Sequence, residues 1–266
     1  MGLECLGELD EYSICEVLEL AAKSLLCIAG EGILDVSHLG LLSAVMDAIG
    51  IPAGRREALL KYIGEKNTHE MLALCRDCGM EPEKTELLKQ VLAANGKPAV
   101  VIPKLRGLLD GIISMEALDQ LENITNALAD SEAGKVLRID FSAVDDMRYY
   151  NGIVFKGYVQ SLPNSILTGG QYDKLMKKMR RSSGAIGFAV YLDMLERMDQ
   201  GRRSFDVDTV LLYEAGTPIA AIRAAAQGIQ AAGESVMVQP SAPDSIRYRK
   251  LMKLQGEEVV VLEKNA

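Results

Sequence analysis

Apolar residues recur at helical spacing over the first part of the chain. The pattern predicts a helix over residues 10–28 and a short strand over 33–37. Further helical segments then follow one another, separated by Pro52, Gly64, Gly79 and a Gly-Lys-Pro turn at 96–98. We predict helices over 41–49, 53–63, 68–78, 82–94 and 115–129. This long helical block is typical of an insertion between two parts of a sheet.

Strand patterns return after the helical block. Residues 136–141 and 152–159 have strand character, and the turn at 162–165 predicts that 166–168 pairs antiparallel to the second of these strands. A helix is expected over 171–181, a strand over 185–190 and a helix over 191–199. The order of elements indicates a mainly antiparallel sheet with helices, which is an α+β arrangement.

The C-terminal segment alternates between strand and helix patterns. A buried strand is predicted at 207–213, and Thr217 is placed as the N-cap of a helix whose first residue is Pro218 and which ends at Gly233. A strand at 236–238, a helix from about 242 to 254 and a strand at 259–262 complete a parallel β-α-β-α-β unit.

Composition and charge narrow the classes of function. The 266 residues are 48% hydrophobic, which is enough for one core and a smaller second one. The formal charge of −8 argues against a broad nucleic-acid surface, so tRNA is not an expected ligand. No signal peptide or apolar run of about 18 residues is found, so we expect no membrane span and a cytoplasmic location.

The cysteines and histidines give no metal-site pattern. Cys75 and Cys78 form a Cys-x-x-Cys pair, but neither His38 nor His69 stands at a zinc-ligand spacing from it. A redox pair should begin a helix, whereas Cys78 and Gly79 have the pattern of a helix end. We therefore interpret the thiols as reduced and structural, and we expect no cofactor.

Three short segments carry the chemistry. Residues 145–155 read Asp-Asp-Met-Arg-Tyr-Tyr-Asn-Gly-Ile-Val-Phe, residues 169–173 read Gly-Gly-Gln-Tyr-Asp, and residues 187–195 read Gly-Phe-Ala-Val-Tyr-Leu-Asp-Met-Leu. Together they resemble the amino-acid-activating site of the histidyl-tRNA synthetase group of class II synthetases. In that group the corresponding stretches read Arg-Gly-Leu-Asp-Tyr-Tyr-x-Gly-x-Val-Phe-Glu, Gly-Gly-Arg-Tyr-Asp and Gly-Phe-Ala-x-Gly-x-Glu-Arg-Leu.

The resemblance fails where the family handles phosphate charge. Asp145 stands at the position of the catalytic arginine, and Met194 at that of the arginine that clamps the nucleotide. Tyr191 replaces a glycine that approaches the adenine, and Asp193 replaces a glutamate. Amino-acid activation passes through a phosphate with added negative charge, which fixed cations stabilise. These four degenerate positions predict a chain without ATP-dependent activation.

The positions that would face the amino acid are retained. The resemblance implies a histidine site formed by Glu4, Tyr149, Tyr150, Gly169, Gly170, Tyr172 and Asp173. A carboxylate and tyrosine hydroxyls are suitable partners for an imidazole ring and an α-ammonium group. The competing interpretation is that the adjacent tyrosines are one core and one surface residue of an ordinary strand.

Within this group, the pattern is similar to the regulatory subunits of ATP phosphoribosyltransferase, which have lost aminoacylation. The resemblance implies a partial class II synthetase-like antiparallel sheet core at 1–50 and 134–200, a helical insertion at 51–133, and a partial anticodon-binding-like α/β domain at 201–266. Motif 1 and the start of motif 2 should precede Met1. It also implies a non-catalytic, oligomeric chain that senses histidine and activates the short catalytic subunit in the first step of histidine biosynthesis. A reduced synthetase-like enzyme and a stand-alone histidine-binding paralogue remain the alternatives.

A run of cations at 174–181 is the strongest local charge feature. Its lysines and arginines surround an apolar stripe of Leu175, Met176 and Met179. A solvated helix face is one interpretation, and contact with an acidic partner or a phosphorylated ligand is the other. Lys156 takes the place of a family glutamate, and the sequence gives no account of it.

Overall fold

The computed structural model describes residues 1–144, 149–199, 205–243, 245–256 and 258–265. The chain divides into two compact units, Met1–Arg197 and Met198–Ala266. The elements through α10 are β1 (Gly2–Gly7), α1 (Glu11–Ala29), β2 (Ile33–His38), α2 (Leu39–Ile49), a 3-10 turn (Ala53–Arg55), α3 (Arg56–Gly64), α4 (Thr68–Asp77), α5 (Pro82–Ala93), α6 (Pro98–Leu109), α7 (Glu116–Ala127), α8 (Glu132–Val136), β3 (Leu137–Ile139), β4 (Ile153–Tyr158), β5 (Leu167–Gln171), α9 (Asp173–Lys178), β6 (Gly184–Val190) and α10 (Leu192–Asp199).

A six-stranded sheet in the order β1-β6-β5-β4-β2-β3 organises the first unit. All neighbouring pairs are antiparallel except β2 and β3. The predicted antiparallel pairing of β4 with β5 is confirmed, with Phe155 opposite Gly169. Together with its helices this sheet gives the expected α+β core.

The two faces of the sheet have different environments. Helix α1 packs along one face, where Leu18 and Leu25 are fully buried. A Cβ at Gly157 would lie 2.8 Å from the Leu25 methyl groups, so the absence of a side chain there lets the helix approach β4 closely. Side chains alternate between faces along each strand, so the remaining positions form a second, more open face.

Helix α1 begins and ends where its sequence predicts. The Asp10 carboxylate accepts a hydrogen bond from the Ser13 amide at 2.8 Å, which satisfies a free donor of the first turn. Gly30 ends the helix with φ of 73°, a conformation that glycine adopts readily.

The helical block contains one helix that the pattern did not predict. Helix α6 starts at Pro98, which suits a first-turn position, and it also contains Pro103. The second proline is the sixth residue of the helix, and Val101, Ile102 and Leu105 are buried nonetheless. Burial of this apolar side stabilises a helix that the prolines alone would argue against.

The predicted helix over 171–181 is much shorter in the structure. Helix α9 covers only Asp173–Lys178, and Arg180 follows it with φ of 58°. The expected apolar stripe is therefore incomplete: Met176 is buried, whereas the Met179 side chain is 62% exposed.

The second unit contains β7 (Val207–Leu212), α11 (Ile219–Ala231), β8 (Val236–Gln239), β9 (Tyr248–Gln255) and β10 (Glu258–Lys264). Its sheet has the order β10-β9-β7-β8. The predicted helix at 242–254 is wrong, because that segment supplies β9, which is parallel to β7 and antiparallel to β10. The fully parallel β-α-β-α-β unit is wrong for the same reason.

The predicted N-cap of α11 is also displaced. Pro218 is the capping residue, and the Thr217 hydroxyl instead donates to the Glu214 carbonyl at 2.8 Å. Leu251 and Leu254 of β9 are buried, and the strand is held by its pairing with β7 and β10. Among the described residues, no helix combines the length and the apolar character that crossing a membrane requires.

Candidate functional site

One row of the open face brings the first part of the candidate site together. In the strand register, Glu4 of β1 lies opposite Gly187 of β6, Gly187 lies opposite Gly170 of β5, and Gly170 lies opposite Val154 of β4. Four strands therefore place one carboxylate and two glycines side by side. Residues far apart in sequence meet here because antiparallel pairing fixes their alignment.

The two glycines form a floor without side chains. A Cβ at Gly170 would lie 2.7 Å from the Tyr150 ring and 2.8 Å from Val154, and a Cβ at Gly187 would overlap the Glu4 carboxylate. Any larger residue would displace these two groups. The glycines therefore let Glu4 and Tyr150 lie directly over the sheet.

Three tyrosines surround the carboxylate. The Tyr149 ring lies 4.6 Å from the Tyr150 ring, edge to face, and 5.3 Å from the Tyr172 ring. The Tyr172 hydroxyl donates a hydrogen bond to the Glu4 carboxylate. Tyr172 is buried, and Tyr149 and Glu4 are exposed, so the cluster has an aromatic wall and an open side.

The environment keeps the hydroxyls of Tyr149 and Tyr172 neutral. Burial raises the pKa of Tyr172 well above its ordinary value, and its hydrogen bond to Glu4 raises it further. Burial, followed by the Glu4 charge, also raises the pKa of Tyr149. The cluster thus offers hydroxyl donors beside a carboxylate, a combination that suits a ligand with amine or imidazole nitrogens.

Asp173 serves the architecture of the site. Its carboxylate accepts hydrogen bonds from the Ala185 amide at 3.0 Å, from the Asn151 side chain at 3.1 Å and from the Gln171 side chain at 2.6 Å. The Asn151 oxygen in turn accepts from the Lys174 amide at 3.1 Å. Asp173 therefore ties the segment after Tyr150 to β6 and to the start of α9.

Gly169 does not join the other predicted site residues. A Cβ at this position would lie 2.6 Å from the Phe155 ring and 2.6 Å from the Phe188 side chain. It therefore faces the side of the sheet that α1 covers, where the two phenylalanine rings lie 6.4 Å apart. Its neighbour Gly170 faces the tyrosines, as strand alternation requires.

Three of the degenerate positions line one neighbouring groove on the open face. Its volume is about 500 Å³, and its lining residues are Lys156, Tyr158, Pro163, Asn164, Ser165, Tyr191, Asp193 and Met194. The Tyr191 hydroxyl is 2.7 Å from the Thr168 hydroxyl, which holds the ring against β5. Asp145, the fourth degenerate position, lies outside the described residues.

The structure gives Lys156 a structural contact. Its ammonium group donates to the Val144 carbonyl at 2.9 Å and so ties Val144 to β4. This contact accounts for the lysine that the sequence left unexplained.

Comparison with known proteins assigns this architecture. A family model described as Histidyl-tRNA synthetase matches residues 1–195, which include every element of the six-stranded sheet. The chain belongs to the histidyl-tRNA synthetase family. The tyrosine and glycine segments of the site lie within the matched region.

Individual members of the family include regulatory proteins. An ATP phosphoribosyltransferase regulatory subunit from Oceanobacillus iheyensis is 23% identical over 270 residues, which cover 100% of this chain and 64% of the relative. A crystal structure described as an ATP phosphoribosyltransferase regulatory subunit/histidyl-tRNA synthetase from Bacillus halodurans matches with a TM-score of 0.68 at 25% identity, covering 95% of this chain and 67% of that one.

A third match shares the fold. A chain in the ATP phosphoribosyl transferase (HisG:HisZ) complex from Thermotoga maritima matches with a TM-score of 0.55 at 20% identity, covering 71% of this chain and 64% of that one. The chain spans between one half and two thirds of the length of the curated relatives it matches.

Sequence reasoning missed one charged residue on the open face of this family fold. Asp35 of β2 lies opposite Lys156 of β4 and beside Arg138 of β3. Burial, and next the charge of Asp140, raise the pKa of Asp35 to about 6. The alternation of Asp35 and Ser37 with Leu34 and Val36 was the available signal, because it marks one face of β2 as polar.

The described residues contain no group of three histidine, cysteine or acidic side chains that could hold a metal ion. Cys75 and Cys78 are both free thiols, and Cys75 is buried near the end of α4, with Cys78 as its C-cap. The predicted helix end at this pair is confirmed.

Proposed function

We propose that this chain is a regulatory subunit of ATP phosphoribosyltransferase that binds histidine and does not itself activate an amino acid. The observation that carries the proposal is the contrast between two adjacent parts of one sheet face. The Glu4–Tyr172 cluster keeps its donors and acceptor, whereas the neighbouring groove has Met194 at the position where the family resemblance places an arginine. Relatives that are named ATP phosphoribosyltransferase regulatory subunit support this assignment.

The residues of the cluster suggest how histidine would be held. The Glu4 carboxylate can accept from the ligand's ammonium or imidazole N–H, and the hydroxyls of Tyr150 and Tyr172 can donate to or accept from it. The exposed Tyr149 ring would cover the open side. Because Tyr172 donates to Oε2 of Glu4, the ligand would either bond to Oε1 or displace the Tyr172 hydroxyl.

The groove beside the cluster has Met194 at the position where the family resemblance places an arginine that binds the nucleotide phosphates. Met194 offers no charge and no strong hydrogen-bond donor, and loss of one catalytic donor lowers rates by about a hundred- to a thousand-fold. Tyr191, fixed by Thr168, occupies space on the same face. We infer that aminoacylation is absent.

In this proposal, residues 1–50 and 134–200 are the histidine-binding core, 51–133 are inserted helices and 201–266 form a second domain. The partner is the short catalytic subunit of ATP phosphoribosyltransferase, in a hetero-oligomer that acts in the cytoplasm. Histidine would regulate that enzyme only as far as it binds one conformation of the complex more tightly than the other.

The test measures ATP phosphoribosyltransferase activity of the short catalytic subunit from the same organism. The assay is run with and without this chain, while histidine is titrated. We expect the chain to raise activity and histidine to lower it again. Glu4→Gln should weaken the histidine response by about tenfold or more, since it removes a charged acceptor.

Glu8→Gln is the matched control, because Glu8 is an exposed carboxylate just beyond the end of β1. An unchanged histidine response in Glu4→Gln would remove Glu4 from the site. If the chain does not change the activity of the catalytic subunit at all, the regulatory proposal fails. ATP-pyrophosphate exchange dependent on histidine would then favour a reduced synthetase, the function that the family name itself suggests.

A further inference from the structure

Helix α9 and the residues after it carry an unneutralised positive surface. Lys174, Lys177, Arg180 and Arg181 are all exposed, and none has an ion-pair partner in the part of the chain that the structure describes. We call these four residues the α9 surface. It concentrates four cations within eight positions of a chain whose formal charge is −8.

Several other exposed cations of the same protein are paired. Arg106 contacts Asp119 at 2.7 Å and also Glu122, and Arg247 contacts Asp206 at 3.0 Å. Carboxylates thus neutralise these two arginines. Four adjacent unpaired cations repel one another, so an interaction with a separate anionic group would stabilise them.

A favourable interaction with the helix dipole explains only part of the positive charge of the α9 surface. Cations in the last turn of a helix interact favourably with the helix dipole, and Lys177 lies there. Lys174, however, lies in the first turn, where a cation is unfavourable. Arg180 and Arg181 lie beyond the last helical residue, and Arg180 has φ of 58°, a conformation that glycine adopts with less strain.

The α9 surface is also connected to the tyrosine cluster. Met176, on the inner side of α9, packs with Tyr172 and Ala185, and Tyr150 lies against the same group. Met179 on the outer side is 62% exposed and adds an apolar contact among the cations. Helix α9 therefore has one side against the candidate ligand site and the other side in solvent.

We propose that the α9 surface binds an acidic patch on the catalytic subunit, which rests on the regulatory function proposed above. A protein surface fits better than a nucleic acid. The overall charge of −8 repels a polyanion, and the segment offers a methionine where single-stranded nucleic acids are stacked on aromatic rings. Because Met176 contacts Tyr172, a ligand that moves Tyr172 changes the surface presented to the partner.

The experiment measures the Kd between this chain and the short catalytic subunit by titration calorimetry. The test variant is Lys174→Glu with Lys177→Glu. Its control is Lys97→Glu with Lys104→Glu, which makes the same change in net charge at two exposed lysines that have no ion-pair partner among the described residues. Thermal melts establish that both variants fold.

We expect the α9 variant to weaken binding by about tenfold or more and the control by less than about twofold. Wild-type affinity should fall between 50 and 300 mM salt, and the α9 variant should lose much of that salt dependence. Equal Kd values for the two variants, with tight wild-type binding, would overturn the inference and leave the regulatory function standing. No wild-type binding would contradict the regulatory function itself.

Arg180→Gly separates folding from binding. It relieves an unfavourable backbone conformation, so the melting temperature should stay the same or rise, whereas we expect the affinity for the catalytic subunit to fall by about threefold. Unchanged affinity would remove Arg180 from the surface. A histidine tRNA is titrated in parallel. If the Lys174→Glu, Lys177→Glu variant loses tRNA binding while its affinity for the catalytic subunit is unchanged, the surface is a nucleic-acid site and the proposal is wrong.

Discussion

The stability of this protein should depend on the ionisation of one strand residue, Asp35. Its carboxyl group lies on the open face of the six-stranded sheet, on the strand between those of Lys156 and Arg138. Burial raises the pKa of Asp35 to about 6, with the charge of Asp140 as the second cause. Lys66 and Arg138 oppose this shift without cancelling it.

The direction of the pH dependence follows from comparing the pKa of Asp35 in the folded and the unfolded protein. The pKa of an aspartate in an unfolded chain is about 3.9, so the folded protein binds this proton more tightly. The contribution of the protonated Asp35 to stability is present below about pH 4 and is lost as the pH rises through about 6. The full shift corresponds to about 3 kcal/mol, and partial exposure to solvent reduces our expectation to about 1–2 kcal/mol.

The perturbation is Asp35→Asn, which keeps the shape and removes the ionisation. At pH 7.5 we expect the free energy of unfolding, measured by urea denaturation, to exceed that of the wild type by about 1–2 kcal/mol. At pH 4.5 the two proteins should differ by less than about half of that amount.

Asp110→Asn, at the exposed end of α6, is the control and should show no such dependence on pH. The reasoning is refuted if Asp35→Asn has the same effect at both pH values. It is also refuted if the substitution destabilises the protein at pH 7.5.

Three other perturbations test the site. Gly187→Ala places a Cβ against the Glu4 carboxylate and a backbone carbonyl of β1, so urea denaturation should show a loss of about 1–3 kcal/mol, whereas Gly54→Ala, with open space around it, should be nearly neutral. Lys156→Met removes a hydrogen bond to a backbone carbonyl, and the same assay should show a loss of about 1–2 kcal/mol. Met194→Arg should raise the affinity for Mg-ATP in calorimetry by about tenfold, because an arginine can bind phosphate with two N–H groups; an equal gain from a distant Met179→Arg would contradict this.

Local sequence patterns predicted the limits of an element correctly where the segment itself contains the residues that cap it. Helix α1 has an N-cap, an apolar side and a terminal glycine within one segment, and its predicted and observed limits differ by one residue at each end. Segment 248–255 has apolar residues that suit either a helix or a strand. Its strand state depends on β7 and β10, which lie elsewhere in the sequence, so tertiary pairing decided it.

The candidate site also combines features that the sequence predicted with features that depend on the fold. The resemblance grouped Glu4 with Tyr172, and the hydrogen bond between side chains 168 positions apart exists because β1 pairs with β6. Strand alternation alone would have separated Gly169 from Gly170, since adjacent residues face opposite sides of a sheet. The charge state of Asp35 depends on Asp140 and Lys66, which are brought close only by the fold.

The connection between the two proposals lies in a single side chain. Tyr172 donates to Glu4 and packs against Met176, so a ligand that displaces its ring also changes its contact with α9. A ligand that bonds to Oε2 of Glu4 competes with the Tyr172 hydroxyl for that oxygen. The free energy of ligand binding is therefore coupled to the position of Tyr172, and by reciprocity a partner that holds α9 in one position alters the affinity for the ligand.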